Sequence, residues 1–241
     1  MNQSHLMKHQ INLVNLENVP ILQQLRLEEA LLRADDQNWC IINSGSSPSI
    51  VMGISGKKEQ LVDMRVIKSA PIPIIRRYSG GGTVIVDKDT IFVSFILRKD
   101  IFSFECFPEP IHQWSAELYK SALNIDCFTL KENDYVISNK KCGGNAQYFK
   151  KDRFVHHTSF LWNFCNEKMK YLKNPSVAPK YRNKRSHTDF LCRLKDFLPS
   201  KKQFINQVSQ FLGSRFDVVN KSNEMLNSFT CSQHRKSTEI I

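Results

Sequence analysis

Apolar positions along this chain recur with two periods, and the switches between them predict an order of elements. Ile21, Leu22, Leu25, Leu31 and Leu32 stripe one side of residues 20–33. With Asn18 as a cap and Pro20 in the first turn, that spacing predicts a helix carrying Glu28 and Glu29 on its outer side. Short apolar runs at 39–42 and 49–52, separated by Asn43-Ser44-Gly45-Ser46-Ser47-Pro48, read as strand, turn and strand. A short helix at 59–64 leads to residues 71–75, where two prolines fit an edge strand or its entry. Residues 84–86 and 91–97 flank Asp87-Lys88-Asp89 and predict a hairpin whose second strand, apolar almost throughout, is buried on both faces.

After Pro110, Ile111, Trp114, Leu118, Ala122 and Leu123 recur at helical spacing, marking a helix that covers one face of a sheet. Strands follow at 126–130, 135–137, 142–149 and 154–162, with turns at 138–140 and 150–152. The chain is then polar and basic up to Asp189, and a helix at 200–212 closes it, striped by Phe204, Ile205, Val208, Phe211 and Leu212 and ended by Gly213. Hairpin strands with helices between them predict an α+β fold, a mixed and largely antiparallel sheet flanked by helices. The expected organisation is one domain over 1–215 and a polar C-terminal tail over 216–241, frayed from Asn223 onward, with no accessory C-terminal domain.

Composition narrows the picture. With 241 residues, 41% apolar and 24% charged, the chain can bury a core, and no apolar run approaches the ~20 residues a membrane helix needs. The basic first ten residues lack a signal-peptide pattern, so the expected compartment is the cytoplasm, with the mitochondrial matrix as the alternative. Seven widely spread cysteines without a C-x-x-C pair read as reduced thiols. A net charge of +11 favours an acidic partner, whether nucleotide, nucleic acid or protein. Lys168, Lys170, Lys173, Lys180, Arg182, Lys184 and Arg185 occur without an intervening acid and read either as a docking face or as a solvated basic loop.

The candidate chemistry centres on Arg76-Arg77-Tyr78-Ser79-Gly80-Gly81-Gly82-Thr83. Glycines let main-chain N–H groups approach an anion closely, and arginine adds a planar fork of donors that fits phosphate or carboxylate. Asn133-Asp134, before an apolar strand, can hold a Mg²⁺ whose other ligands are water and phosphate, or can be a plain turn. Lys141, followed by Gly143-Gly144-Asn145-Ala146, pairs a compact charge with an approachable backbone. Cys142 beside Lys140 and Lys141 has the setting of a reactive thiol but reads as a small buried hydrophobe. His156 and His157 are adjacent on a strand and face opposite ways, which argues for one hydrogen-bonding histidine and against a metal pair.

These four stretches, in this order, with Pro179-Lys180-Tyr181-Arg182 and Arg185-Ser186-His187, resemble the lipoate-protein ligase A family of the biotin/lipoate ligase superfamily over residues 21–191. The resemblance implies a catalytic domain of that type, which converts lipoate and ATP, with Mg²⁺, to lipoyl-AMP and pyrophosphate. The lipoyl group then passes to a lysine on an acidic carrier, a lipoyl domain or H-protein type. On this reading Arg77, Ser79 and the amides of Gly80, Gly81 and Gly82 hold the acyl carbonyl and phosphate, and Asp134 with Asn133 holds the metal. Lys141 meets the α-phosphate, while Gly144, Ala146 and His157 complete the binding set. Val84 and Val86, with Ile50, Met52 and Phe160, are candidates for the apolar slot that takes the acyl chain.

The sequence departs from the family pattern in three ways. His156-His157-Thr158-Ser159 stands where the family more often has His-His-Gly-Thr, Gln147-Tyr148 stands where many members have an arginine, and the length leaves no room for the accessory domain of familiar bacterial ligases. The last point implies either a separate accessory subunit or a chain that only transfers. The alternatives are a lipoyl- or octanoyl-transferase acting through a thioester, with Cys127 the cysteine to suspect, and a non-enzymatic nucleotide or nucleic-acid binder. The binder is disfavoured because its basic residues are not interleaved with stacking aromatics. Neither specific nucleic-acid binding nor membrane association is expected.

Overall fold

Two sheets of unequal size close on a long helix, and the candidate site lies where a loop of the smaller sheet meets the larger one. The computed structural model describes residues 8–173, 178–222 and 234–241. In chain order the elements are β1 (Gln10–Leu16), α1 (Ile21–Ala34), β2 (Trp39–Ser44), β3 (Ser49–Met52), α2 (Lys58–Leu61), α3 (Met64–Ser69), β4 (Ile74–Arg76), β5 (Val84–Val86) and β6 (Thr90–Arg98). There follow α4 (Pro108–Leu123), β7 (Phe128–Lys131), β8 (Asp134–Ile137), β9 (Lys140–Phe149), β10 (Arg153–Leu161), α5 (Asn166–Met169), α6 (His187–Phe190), α7 (Lys201–Arg215), β11 (Asp217–Asn220) and β12 (Glu239–Ile240).

The large sheet has the order β11-β1-β2-β6-β10-β9-β8-β7 and the small one β12-β4-β3-β5. β1 pairs in parallel with β2 and with β11, and β3 with β4; every other pairing is antiparallel. The class is therefore α+β with mixed sheets. On one face of the large sheet, α4 and α7 cover the main core, in which Phe95, Tyr119, Tyr135, Phe160 and Phe204 are fully buried. On the other face α1 packs Leu27, Leu31 and Leu32 against Trp39, Ile41 and Ile96, and Ile21 and Leu25 against Val51, Ile75 and Val86 of the small sheet.

This position of α1 corrects the expectation that Glu28 and Glu29 face outward. Sheets on two sides leave the helix little free face, and the two carboxylates are 0% and 1% exposed. Each is held by donors, as a buried charge requires. The helix start differs too. Asn18 adopts φ +52° and does not cap with its side chain; Ser46 Oγ accepts the Ile21 N–H at 2.8 Å instead.

The expected β5–β6 hairpin is absent. The turn at Asp87 exists, with the Asp89 N–H bonded to Asp87 Oδ1 at 2.8 Å, but it hands the chain from one sheet to the other. β6 is buried along nearly its whole length and spends both edges on β2 and β10, so β5 pairs with β3. The helix expected at 59–64 is two short helices, and Asp63 caps the second by accepting from Arg65 N–H. Gly213 lies inside α7, which runs on to Arg215.

The C-terminal tail also differs from expectation. Phe216 is buried, residues 217–220 add an edge strand parallel to β1, and 239–240 pair with β4. Residues 223–233, including Cys231, lie outside the described residues, as does 1–7 of the basic N-terminus.

Candidate active site

Gly81 sets the geometry of the glycine loop. Its φ is +106°, which a side chain would strain, and a Cβ there would lie 2.7 Å from Arg77 Nη2 and 3.3 Å from the Asn145 carbonyl. The loop tip thus rests on β9 at Asn145 and Ala146, while Gly80 and Gly82 have open space at their Cα atoms. Gly53 makes the close approach possible from below, since a Cβ on it would sit 2.3 Å from the Gly81 carbonyl. Ser79 is buried, and its carbonyl accepts the Ile54 N–H at 3.0 Å.

Arg77 is 4% exposed and folds back under the loop. It donates to the Gly80 carbonyl through Nε and Nη2 at 3.2 and 2.8 Å and to the Gly82 carbonyl through Nη2 at 2.9 Å. Burial lowers its pKa to about 10, partly offset by the negative Glu28. In this arrangement Arg77 shapes the loop from behind.

Across from the loop, β8 and β9 carry the charged pair. A turn at Glu132 and Asn133 starts β8, leaving Asn133 exposed and Asp134 7% exposed. Asn133 thus belongs to the exposed turn and Asp134 to the strand. The Asn133 carbonyl instead accepts from Asn145 Nδ2 at 3.1 Å. Lys141 Nζ lies 2.7 Å from Asp134 Oδ1 and Tyr181 OH donates to Oδ2 at 2.8 Å. Gly144 gives this pair its room: a Cβ there would meet Lys141 Nζ at 2.9 Å and Asp134 Oδ1 at 3.8 Å. Burial and the Asp134 charge raise the Tyr181 phenol above its usual range, keeping it a neutral donor.

The strand register then aligns Gly144 with Ser159 and Ala146 with His157. His157 faces α1, where its Nδ1 lies 2.9 Å from Glu28 Oε1 and 2.9 Å from Ser94 Oγ, and Gln24 Nε2 donates to the same carboxylate oxygen at 2.9 Å. A carboxylate on Nδ1 assigns a proton to that nitrogen. His156 faces the other side, as alternation requires, between Tyr135 OH at 3.0 Å on Nε2 and Gln147 Nε2 at 3.0 Å on Nδ1. Burial and the neighbouring His112 and His157 hold its pKa well below the ordinary value, so it is a neutral core histidine. Thr158 Oγ1 donates to Asn145 Oδ1 at 2.7 Å and so continues the polar chain behind β9.

The residues grouped as an apolar slot separate. Val84 and Val86 join Val51, Ile75 and Phe92 beneath the glycine loop, between the sheets. Ile50 and Met52 point to the opposite face of the small sheet, with Ile74 and Ile85. Phe160 belongs to the main core, with its ring 4.8 Å from that of Tyr119. Period two explains the first correction, because Ile50 and Met52 flank Val51 on β3 and must face away from it. The basic run is likewise only partly free: Lys168 is paired with Asp87 and Lys170 with Glu167, and Arg185 donates to the carbonyls of Asn139, Tyr181 and Arg182.

No cluster of three or more potential metal-ligating residues exists among the described residues. Asp134, with only exposed Asn133 and Glu132 near it in the chain, fits an ion that brings most of its ligands with it, as Mg²⁺ does on a nucleotide. Two contributors went unrecognised from sequence. Glu28 stands at helical spacing within the stripe of Ile21, Leu25 and Leu32, a carboxylate on an apolar face, and that was its signal. Tyr181 sits in the basic stretch and had no local signal for its contact with Asp134.

Comparison with known proteins fits this geometry. A family model described as the lipoyl protein ligase A/B catalytic domain matches residues 20–216. A Plasmodium falciparum protein named inactive lipoate–protein ligase 2 is 31% identical over 76% of this chain and 62% of its own length. Lipoate–protein ligase 1 of Staphylococcus aureus is 29% identical over 63% of this chain and 46% of its own. The chain thus spans about half the length of the curated relatives it matches. Among solved structures, the archaeal bipartite lipoate protein ligase of Thermoplasma acidophilum superposes with a TM-score of 0.76 at 22% identity, covering 93% of this chain and 91% of that one. A lipoate-protein ligase A bound with ATP gives 0.74 at 18% identity, covering 93% of each chain. These two likenesses bear on the fold.

Proposed function

The chain belongs to the lipoyl protein ligase A/B catalytic-domain family, and on that premise we propose that it joins lipoate to a lysine of an acidic lipoyl domain by way of lipoyl-AMP. The observation that carries this reading is Lys141 Nζ, 2.7 Å from Asp134 and beside the bare Cα of Gly144, on the surface that faces the glycine loop. In the first step the lipoate carboxylate attacks the α-phosphorus of ATP and pyrophosphate leaves. Charge builds on the α-phosphate oxygens, where the fixed Lys141 ammonium is stabilising and main-chain amides of the glycine loop would add donors. In the second step the carrier lysine amine attacks the acyl carbonyl and AMP leaves, forming the amide. Neither step needs an enzyme nucleophile; the chain contributes positioning and charge.

Val84, Val86, Val51, Ile75 and Phe92 offer apolar surface for the acyl chain, each buried methylene contributing ~0.8 kcal/mol. Asp134 would be the protein ligand of a Mg²⁺ carried by ATP, and that ion would supply charge neutralisation on the phosphates.

A thioester route finds no support in the cysteines. Phe128 pairs with Ile137 and Lys131 with Asp134, so Cys127 lies past the far end of β8, ~10 Å or more along the strand from Asp134. Cys142 is fully buried on the core side, and burial raises its thiol pKa well above the usual range. A second reading, in which the chain only transfers from lipoyl-AMP made elsewhere, draws on the Plasmodium relative being named an inactive ligase. Incubating the protein with an apo lipoyl domain separates the two. If lipoate plus ATP adds a lipoyl group to the carrier by mass, the full reaction holds; if only supplied lipoyl-AMP does so, transfer alone holds. No modification in either case overturns both.

A further inference from the structure

Two cysteines that play no part in the chemistry above are held side by side. Leu191 forms a parallel bridge with Lys141, and the Cys192 N–H donates to the Lys141 carbonyl at 2.9 Å. The next residues of the two segments, Cys142 and Cys192, are therefore register neighbours, and neighbours in parallel pairing send their side chains to the same face. Both residues pack with the main core, Cys142 inside it and Cys192 against its edge. Cys142 Sγ also points to the Tyr135 carbonyl at 3.4 Å and Cys192 Sγ to the Lys140 carbonyl at 3.3 Å. Cys142 is 0% exposed and Cys192 is half-buried. The more exposed Cys192 and the buried Cys142 have the arrangement of an attacking and a resolving thiol.

We propose that Cys142 and Cys192 are a thiol–disulfide modification site, closed by small-molecule disulfides, that fastens the segment 178–194 to β9 one residue beyond Lys141. The register satisfies the short Cα separation a disulfide needs. The thiolate of Cys192 attacks one sulfur of a disulfide RSSR, giving a mixed disulfide and releasing RS⁻. The Cys142 thiol then gives up its proton and attacks Cys192 Sγ, releasing the second RS⁻. The balance is two protein thiols and RSSR in, one protein disulfide and two RSH out.

Chemistry favours this order of attack: the neighbouring Cys142 holds the Cys192 thiol below the usual range, while burial raises that of Cys142. The consequence is local to the site. The fastened segment carries Tyr181, whose hydroxyl holds Asp134, and Arg185, which donates to the Asn139 carbonyl at 3.0 Å. Closing the disulfide ties these to the strand that carries Lys141. The proposal goes beyond the ligase reading and does not depend on it.

The test is the full-length protein treated with oxidised glutathione under native conditions, followed by intact mass and a non-reducing peptide map. The expected result is the loss of two hydrogens, a single cross-linked peptide joining Cys142 to Cys192, and a urea midpoint that rises on oxidation and falls back with dithiothreitol. Cys192→Ser should abolish the cross-link and the shift, while exposed Cys127 and Cys165 go no further than mixed disulfides. A stable mixed disulfide at Cys192, a cross-link to another cysteine, or no reaction at Cys192 would each overturn the proposal. Because Cys142→Ser disturbs a core position, the half-buried Cys192→Ser, with Cys192→Ala beside it, carries the test. Neither readout involves lipoate or ATP, so it stands apart from failure of the proposed activity.

Discussion

A side chain at Gly81 would meet both a left-handed φ of +106° and the Arg77 guanidinium at 2.7 Å, whereas Gly82 has nothing within 4 Å. Gly81→Ala is therefore expected to cost roughly 1–3 kcal/mol of stability, and Gly82→Ala to leave the urea midpoint unchanged. Equal effects at the two positions would contradict the loop geometry. Lys141 behaves in the opposite sense. Its ammonium is part-exposed in a polar site, so Lys141→Ala should leave the fold intact yet raise the activation barrier by ~2.7–4 kcal/mol, seen as loss of turnover with normal unfolding.

At this scale the sequence exposed residues whose type is itself the signal, such as a glycine run or a lysine before glycines. It hid residues whose role depends on a distant partner. Arg77 was read as a ligand arginine because its true acceptors, the carbonyls of Gly80 and Gly82, carry no side-chain mark. Asn133 was grouped with Asp134 by adjacency, but the turn ends between them, leaving Asn133 exposed and Asp134 buried at the start of β8.

Among the elements, α1 and the C-terminal strand depend on each other. Glu29 accepts from Ser237 N–H at 3.0 Å, from Thr238 N–H at 3.1 Å and from Thr238 Oγ1 at 3.2 Å, and pairs with Arg33 at 3.0 Å. β12 then pairs with β4, which leads into Arg77. Glu29→Ala strands those donors and is expected to cost roughly 1–3 kcal/mol, with trypsin gaining access to Arg235 and Lys236. An unchanged unfolding midpoint and digest would remove the clasp.

On β10, His156 stays neutral when folded but takes up a proton near its ordinary pKa of 6.5 when unfolded. The unfolded state then binds more protons below that value, so the contribution of His156 is complete above pH 6.5 and falls as pH drops, by roughly 1 kcal/mol per pH unit. His112 and His187 are shifted the same way, chiefly by burial. Urea titrations between pH 7.5 and 5.5 should show this slope, and a flatter one for His156→Asn. These dependences were beyond the periodicity of the chain: stripes located α1, α4 and α7, but which side of α1 faced solvent was fixed by two sheets at once.

For the whole molecule, the net charge of +11 is spread over surfaces that are only partly neutralised internally. Lys180 and Lys184 remain exposed beside Tyr181. Steering of an acidic carrier predicts that kcat/KM for the carrier falls about tenfold or more as salt is raised, while KM for lipoate stays level. Parallel salt responses would remove carrier steering. The sequence carried the α+β class and the hairpins β7 to β10, whose contacts are local. It did not reveal that the strands divide into two sheets, or that β11 pairs with β1 some two hundred residues away, because such pairings rest on which edges remain free after the core is filled.

The central claim is that the surface between the glycine loop and Lys141 activates lipoate. Pyrophosphate release by the purified protein with lipoate, ATP and Mg²⁺ tests it most directly. The account predicts release that requires lipoate and is lost in Lys141→Ala. Lipoate-independent release, or none while supplied lipoyl-AMP is still transferred, would contradict it.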